Sequence, residues 1–184
     1  MKKIELYNKV LSILNLAPVT QEEVRLGSDP VVVTLNGFYG TALRKASREH
    51  DWSFLTEAID LTGGDLGPKG GFEHSYELPD DLFRLIDADG GHYRRVGTIL
   101  ETNGGPSIHA MTLSPDALEA CPDDFWDLVA YGMAIFASTR LTSGDTKIQT
   151  VSALYNTILQ SLIDDDVKNS FRRIDSPYED GWEV

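Results

Sequence analysis

Between Phe125 and Thr139 the chain reads FWDLVAYGMAIFAST, with Asp127 as its only charge. A helix that is apolar on nearly every side has to be covered on nearly every side. This segment therefore dictates the centre of the fold, and the rest of the chain must supply helices to surround it. Pro122 and the acids Asp123 and Asp124 precede it as a helix start, because negative charge suits the positive end of a helix dipole.

Two earlier segments can provide cover. Residues 2–16 carry Ile4, Tyr7, Leu11 and Leu14 at heptad-like spacing beside Leu6, Val10 and Ile13, which predicts an amphipathic helix stopped by Pro18. The stretch Thr20–Ser28 reads as a loop. Asp29-Pro30 is a strong start signal, an amide-capping carboxylate followed by a residue pre-set for the first helical turn. The following VVVTLNGFYG would suit a hairpin at Asn36-Gly37, but Leu35, Tyr39, Ala42 and Ala46 keep helical spacing, which predicts a helix over 30–50. Gly37 and Gly40 each cost about 1 kcal/mol relative to Ala in a helix, so close packing against another backbone is expected there.

A third partner follows the turn Thr142-Ser143-Gly144-Asp145. Ile148, Val151, Tyr155, Ile158 and Leu162 hold heptad positions and predict a helical seam that ends where Asp164-Asp165-Asp166 begins. Three acids near a helix C-terminus oppose the dipole and repel one another. Arg172 and Arg173, of the same or a neighbouring chain, are the candidate partners, and a solvated helix end is the alternative.

Between these helices, residues 52–113 change character. FLTEAIDL, HSYELP, LFRLIDA, YRRVGTIL and IHAMTL alternate with Gly and Pro clusters such as GGDLGPKGG and NGGPS, predicting a small antiparallel module of four to six strands with exposed, mobile loops. The expected fold is α+β, mainly α. An antiparallel bundle of about four helices (1–51 and 114–169) carries an inserted β module (52–113) and an extended tail (170–184). Within that tail, Phe171, Tyr178 and Trp182 among acids suit a segment that orders on docking, with the rings as anchors.

Charge and chemistry narrow the functional classes. The 184 residues hold 16 Lys and Arg against 29 Asp and Glu, a formal charge of −13. Basic residues gather only as Lys2-Lys3, Arg44-Lys45, Arg94-Arg95 and Arg172-Arg173, so tight DNA binding by the chain alone is not expected. No apolar run is long enough to span a bilayer, and Glu5, Asn8 and Lys9 interrupt what would be the apolar core of a leader. The single Cys121 cannot form an internal disulfide, which suggests a reducing compartment.

The residues also offer little for catalysis. None of His50, His74, His92 and His109 has a His or Cys at metal-ligand spacing. Neither a Gly-x-Ser-x-Gly elbow nor a phosphate-binding loop occurs. Asp80-Asp81 and Asp123-Asp124 read as turn and helix-start acids. No catalytic residue, metal or cofactor is therefore assigned.

LSILNLAPVT, REHDWSFLTEAIDL, HSYELPDDLFRLI and CPDDFWDLVAYGMAIFASTRLTSGD occur in that order. Together, over about residues 5–165, they resemble the head-to-tail adaptor proteins of short-tailed bacteriophages, the tail tubular protein A family. The most specific elements are Trp52 and Phe54 of HDWSF and Tyr76, Leu78 and Pro79 of Tyr-x-Leu-Pro; Leu55 stands where family members often carry Ala. The resemblance implies a non-enzymatic virion protein, assembled in the host cytoplasm as a ring of twelve copies between the portal and the tail nozzle or fibre proteins. DNA would pass through without specific binding, and no membrane is involved.

A radius of gyration of about 16 Å for 184 residues means that one subunit cannot encircle a duplex. Twelve copies at −13 would carry about −156, a repulsion confined by screening to about 8 Å. Phe171, Arg172, Arg173, Tyr178 and Trp182 are the expected portal-docking residues. Three other readings rank below: a neck connector of a long-tailed phage, an acidic DNA-mimic inhibitor, and a hydrolase using Asp80 or Asp81.

Overall fold

The computed structural model describes residues 2–61, 64–88, 92–142 and 145–172, without the side chains of 145–147 and 170–172. Over these residues the chain is mixed α and β, with six α-helices and two three-stranded antiparallel sheets. It divides into two compact units, Met1–His50 with Pro122–Val184 and Asp51–Cys121.

The helical unit contains α1 (Lys3–Ile13), α2 (Gln21–Leu26), α3 (Pro30–Arg48), α5 (Asp123–Leu141) and α6 (Asp145–Arg172). α4 (Pro115–Glu119) belongs to the other unit. α1, α3 and α6 all pack on α5, in which Phe125, Leu128, Val129, Met133 and Ala134 are completely buried. Burial of such side chains contributes about 1.5–3 kcal/mol for each large one. The one charge inside the apolar stretch of α5 is answered from its neighbour: Asp127 forms an ion pair with Lys9 of α1. Tyr7 of α1 donates from its hydroxyl to Asn36 Oδ1 on α3 at 2.6 Å. Burial pushes the Tyr7 phenol up to about 12.

Several local expectations are corrected here. α1 does not run to Leu16 but stops at Ile13, because Asn15 takes a left-handed φ of 55° and lets the Leu16 amide reach the Leu11 carbonyl at 2.8 Å. The supposed loop after Pro18 contains α2. Thr20 and Glu23 form a reciprocal capping box, and Gly27 closes the helix at φ 65°. Asn8 clamps the intervening segment by accepting from the Val19 amide at 2.8 Å and donating to its carbonyl at 3.1 Å. α3 starts as its sequence specifies, with Asp29 Oδ1 accepting from Val31 and Val32 amides at 2.8 and 3.2 Å.

The glycines behave differently from expectation. Outside its own helical turn no atom lies within 4 Å of a Cβ built on Gly37, and at Gly40 the neighbour is the Arg44 guanidinium rather than the backbone of another element. The close approach is made instead by Gly132 of α5, whose Cβ would stand 3.5 Å from the Tyr155 ring and 3.6 Å from Ala42 Cβ. Gly37→Ala should therefore raise stability by about 0.5–1 kcal/mol through backbone entropy alone. A higher urea midpoint at unchanged slope is the expected reading; a lower one would mean that the open space at this position is needed.

α6 corrects the reading of the acidic triplet. The helix continues to Arg172, so Asp164–Asp166 lie inside it and not at its end. Asp166 is buried on the same stripe as Val151, Tyr155, Leu159 and Leu162, and its carboxylate lies 3.3 Å from His50 Nε2. Asp164 is exposed, and Asp165, also exposed, pairs with Lys168 at 3.4 Å. His50 is thus one partner of the buried acid, while the expected partners, the Arg172 side chain and Arg173, lie outside the described residues.

The β unit holds a 3-10 turn (Ser53–Leu55) followed by β1 (Thr56–Asp60), β2 (His74–Glu77), β3 (Leu82–Ala88), β4 (Tyr93–Val96), β5 (Ile99–Thr102) and β6 (Ser107–Thr112). The sheets have orders β1-β6-β3 and β2-β5-β4. Both feed one core, in which Tyr76 and Leu100 of one sheet meet Ile108, Ala110 and Leu82 of the other. YRRVGTIL, read as one segment, folds back on itself through Gly97 at φ 63°, so that Val96 pairs with Ile99. α4 falls on the β side of the boundary, not on the bundle side from residue 114, because it packs against the 3-10 turn. Ser114 caps it, accepting from the Ala117 amide at 3.2 Å.

Candidate functional site

The residues singled out in the sequence separate into structural and undescribed positions. Trp52 is completely buried and stacks on Phe54 with ring centroids 5.4 Å apart. Tyr76 and Leu78 are buried in the β core, and Pro79 accepts from the Leu82 amide at 3.2 Å in the turn that leads into β3. The Phe171 and Arg172 backbones end α6, while their side chains, and all of Arg173, Tyr178 and Trp182, lie outside the described residues.

The reactive residue types are held in structural roles. Cys121 is buried, donates from Sγ to the Ala117 carbonyl at 3.4 Å, and has its thiol pushed up to about 12 by burial. That is the opposite of an activated nucleophile. Asp65 accepts from His74 Nδ1 at 2.7 Å and from the Gly67 amide at 2.8 Å, which hold its carboxyl below the usual range and tether the glycine-rich loop to β2. Among the described residues no three His, Cys, Asp or Glu groups are placed to hold a metal.

A concavity of about 260 Å³ on β3 and β6 is lined by Asp87, Ala88, Ser107 and His109, with Asp87 opposite His109 in the register. These are the residue types of a hydrolytic triad. Among the described residues, however, no hydrogen bond joins them, and Asp87 Oδ1 accepts from the neighbouring Ala88 amide at 2.9 Å. Without a base wired to a nucleophile, the arrangement lacks the defining geometry of such a site.

The surface with the clearest binding character lies on the helical unit. Thr41, Arg44, Lys45, Arg48, Glu49 and Phe136 line a groove of about 370 Å³. The α3 residues recur at three- and four-residue spacing, which places them on one helix face. Phe136 of α5 stacks on Phe38 of α3 with centroids 6.0 Å apart, and the Arg140 guanidinium lies 5.3 Å from the Phe38 centroid. A Cβ at Gly40 would stand 3.6 Å from both Nη atoms of Arg44, so the missing side chain leaves room for that guanidinium to lie along the helix.

Lys45 is committed within the unit. It pairs with Glu49, lies 4.3 Å from the Tyr155 ring centroid and donates to the Tyr155 hydroxyl at 3.2 Å. Burial, followed by the nearby Glu49 carboxylate, raises the Tyr155 phenol well above its ordinary value. By contrast, Arg44 and Arg140 have no ion pair among the described residues. Unpaired guanidinium groups beside stacked rings can take carboxylates in paired hydrogen bonds and hold a flat ring by stacking.

Charge is unevenly shared along the chain. Residues 1–50 hold seven Lys and Arg against five Asp and Glu, whereas residues 51–121 hold four against thirteen. The groove therefore sits on the least acidic part of an acidic protein. Sequence reasoning noted Arg44-Lys45 only as a basic pair. The Gly40, Arg44, Arg48 spacing marked the face, but the stack of Phe38 on Phe136 is made across 98 residues of chain and left no local trace.

No protein-family model matches this chain, and no curated protein matches it.

Proposed function

We propose that this protein is a structural component of a virion, a head-to-tail adaptor whose copies form a ring between the portal and the tail nozzle. The observation that carries the reading is the presence of two unlike charged surfaces on one chain. The groove side of the helical unit is basic, and the β unit is strongly acidic. A contact between two different patches is heterologous, and repeated copies of such a contact generate a ring when the rotation closes. The resemblance over residues 5–165 agrees with this reading. DNA is proposed to pass through the ring without specific binding, and the segment 170–184 to engage the portal.

Sedimentation with portal-bearing heads tests the proposal. The intact chain is expected to co-sediment at twelve copies per portal, and a chain ending at Asn169 to remain folded but stay in the supernatant. Equal attachment by the shortened chain would remove the portal role of the tail. Failure of the intact chain to join any multi-copy assembly, or turnover of a substrate by it, would overturn the adaptor reading.

A further inference from the structure

The groove presents Arg44 and Phe136, and beside it the Arg140 guanidinium lies over Phe38, which stacks on Phe136; neither arginine has an ion pair among the described residues. The chain itself contains a segment of matching chemistry. Residues 173–184, RIDSPYEDGWEV, hold four acids against one Arg, with the rings of Tyr178 and Trp182 between them. We infer that in the isolated chain this segment docks into the groove of its own helical unit, an aromatic ring against Phe136 and carboxylates on Arg44 and Arg140.

The geometry of α6 supports docking within one chain. Asp166 is held 3.3 Å from His50, two residues beyond the end of α3 and next to the groove residues Arg48 and Glu49. Arg172 follows Asp166 by six residues, about 9 Å of helical rise. The twelve residues after it span about 40 Å when extended, ample for a return along α3 to Arg44. A short tether raises the effective concentration to the millimolar range, so a few carboxylate–guanidinium contacts and one ring suffice. A free nucleic acid has the same negative charge but must approach a chain of net −13. Under the adaptor reading, and only under it, such docking withholds the tail from the portal until a neighbouring copy fills the groove.

The test uses the full chain with a nitroxide attached at Asp180→Cys. The only other thiol, Cys121, is buried and pushed up to about 12, so labelling is selective. Amide signals of residues 38–48 and 136–140 are expected to lose most of their intensity at low salt and to regain it at high salt. In a mixture of isotope-labelled chain without nitroxide and unlabelled chain carrying it, the loss should vanish. Arg44→Glu with Arg140→Glu should abolish the effect, and adding Asp175→Lys with Glu179→Lys should restore it. Unperturbed groove signals, a loss that survives the charge reversal, or a loss seen equally in the mixed sample (a neighbouring copy as occupant) would each overturn the inference. None of these measurements involves a portal, so they stand apart from the test of ring assembly.

Discussion

Arg94→Ala is expected to destabilise the β unit by about 3 kcal/mol, a large share of its total stability. Glu101 is only 3% exposed, and Arg94 supplies its ion pair, with Nε donating to Oε2 at 2.8 Å. Removing the guanidinium leaves a carboxylate buried without its countercharge, which typically costs about that much. A unit of this size has about 4–10 kcal/mol of stability in total. The surroundings reinforce the pair: Arg94 also lies 5.6 Å from the Phe72 centroid. Gly70, at φ 60°, passes so close that a Cβ there would collide with an Arg94 Nη atom and stand 2.7 Å from Glu101 Oε2. Chemical denaturation followed by near-ultraviolet circular dichroism would measure the loss. Adding Glu101→Gln should recover much of it by removing the buried charge. A cost below about 1 kcal/mol would show that Glu101 is satisfied without Arg94.

Gly132→Leu is the second large effect, expected to cost the helical unit about 3 kcal/mol by overpacking. Position 132 is where α5 approaches both α3 and α6, with Ala42 and the Tyr155 ring at contact distance from a single added carbon. One methyl fits at those distances, so Gly132→Ala should be neutral or slightly stabilising, since it removes a helical glycine. A leucine branch has no such room. It must push the Tyr155 ring away and disturb the bonds of its hydroxyl to Lys45 and Glu49. Thermal unfolding of the two variants side by side reads the difference. Equal stability for both would mean that the helices separate easily at this crossing.

Much of the fold could be read locally because its signals are local. Asp29-Pro30 starts α3 through two amides in its own first turn. The apolar run of α5 sits at the hub of its unit because no polar face exists to turn toward water. Some missed elements also carried local signals. Thr20, Glu23 and Gly27 spell a short capped helix, and they were outweighed by the polarity of the stretch around them. The acidic triplet hides the continuation of α6: Asp166 follows Leu162 by four residues on the buried stripe, and the helix stops six residues beyond it.

The candidate site was less legible. Its α3 face is periodic in sequence, but a groove needs a second wall, and Phe136 is contributed by a helix from the other side of the β unit in chain order. The pairing of His50 with Asp166 bridges a still longer interval. Helix and strand positions, the acidic balance and the lack of recognisable catalytic motifs follow from residue order alone, since periodicity, caps and counts involve only near neighbours or none. Which glycine lies at a helix crossing, which acid is buried and which arginines keep no countercharge among the described residues were decided by packing. Those outcomes depend on distances between segments far apart in the chain, and such distances are set only when all the helices bury their apolar faces together.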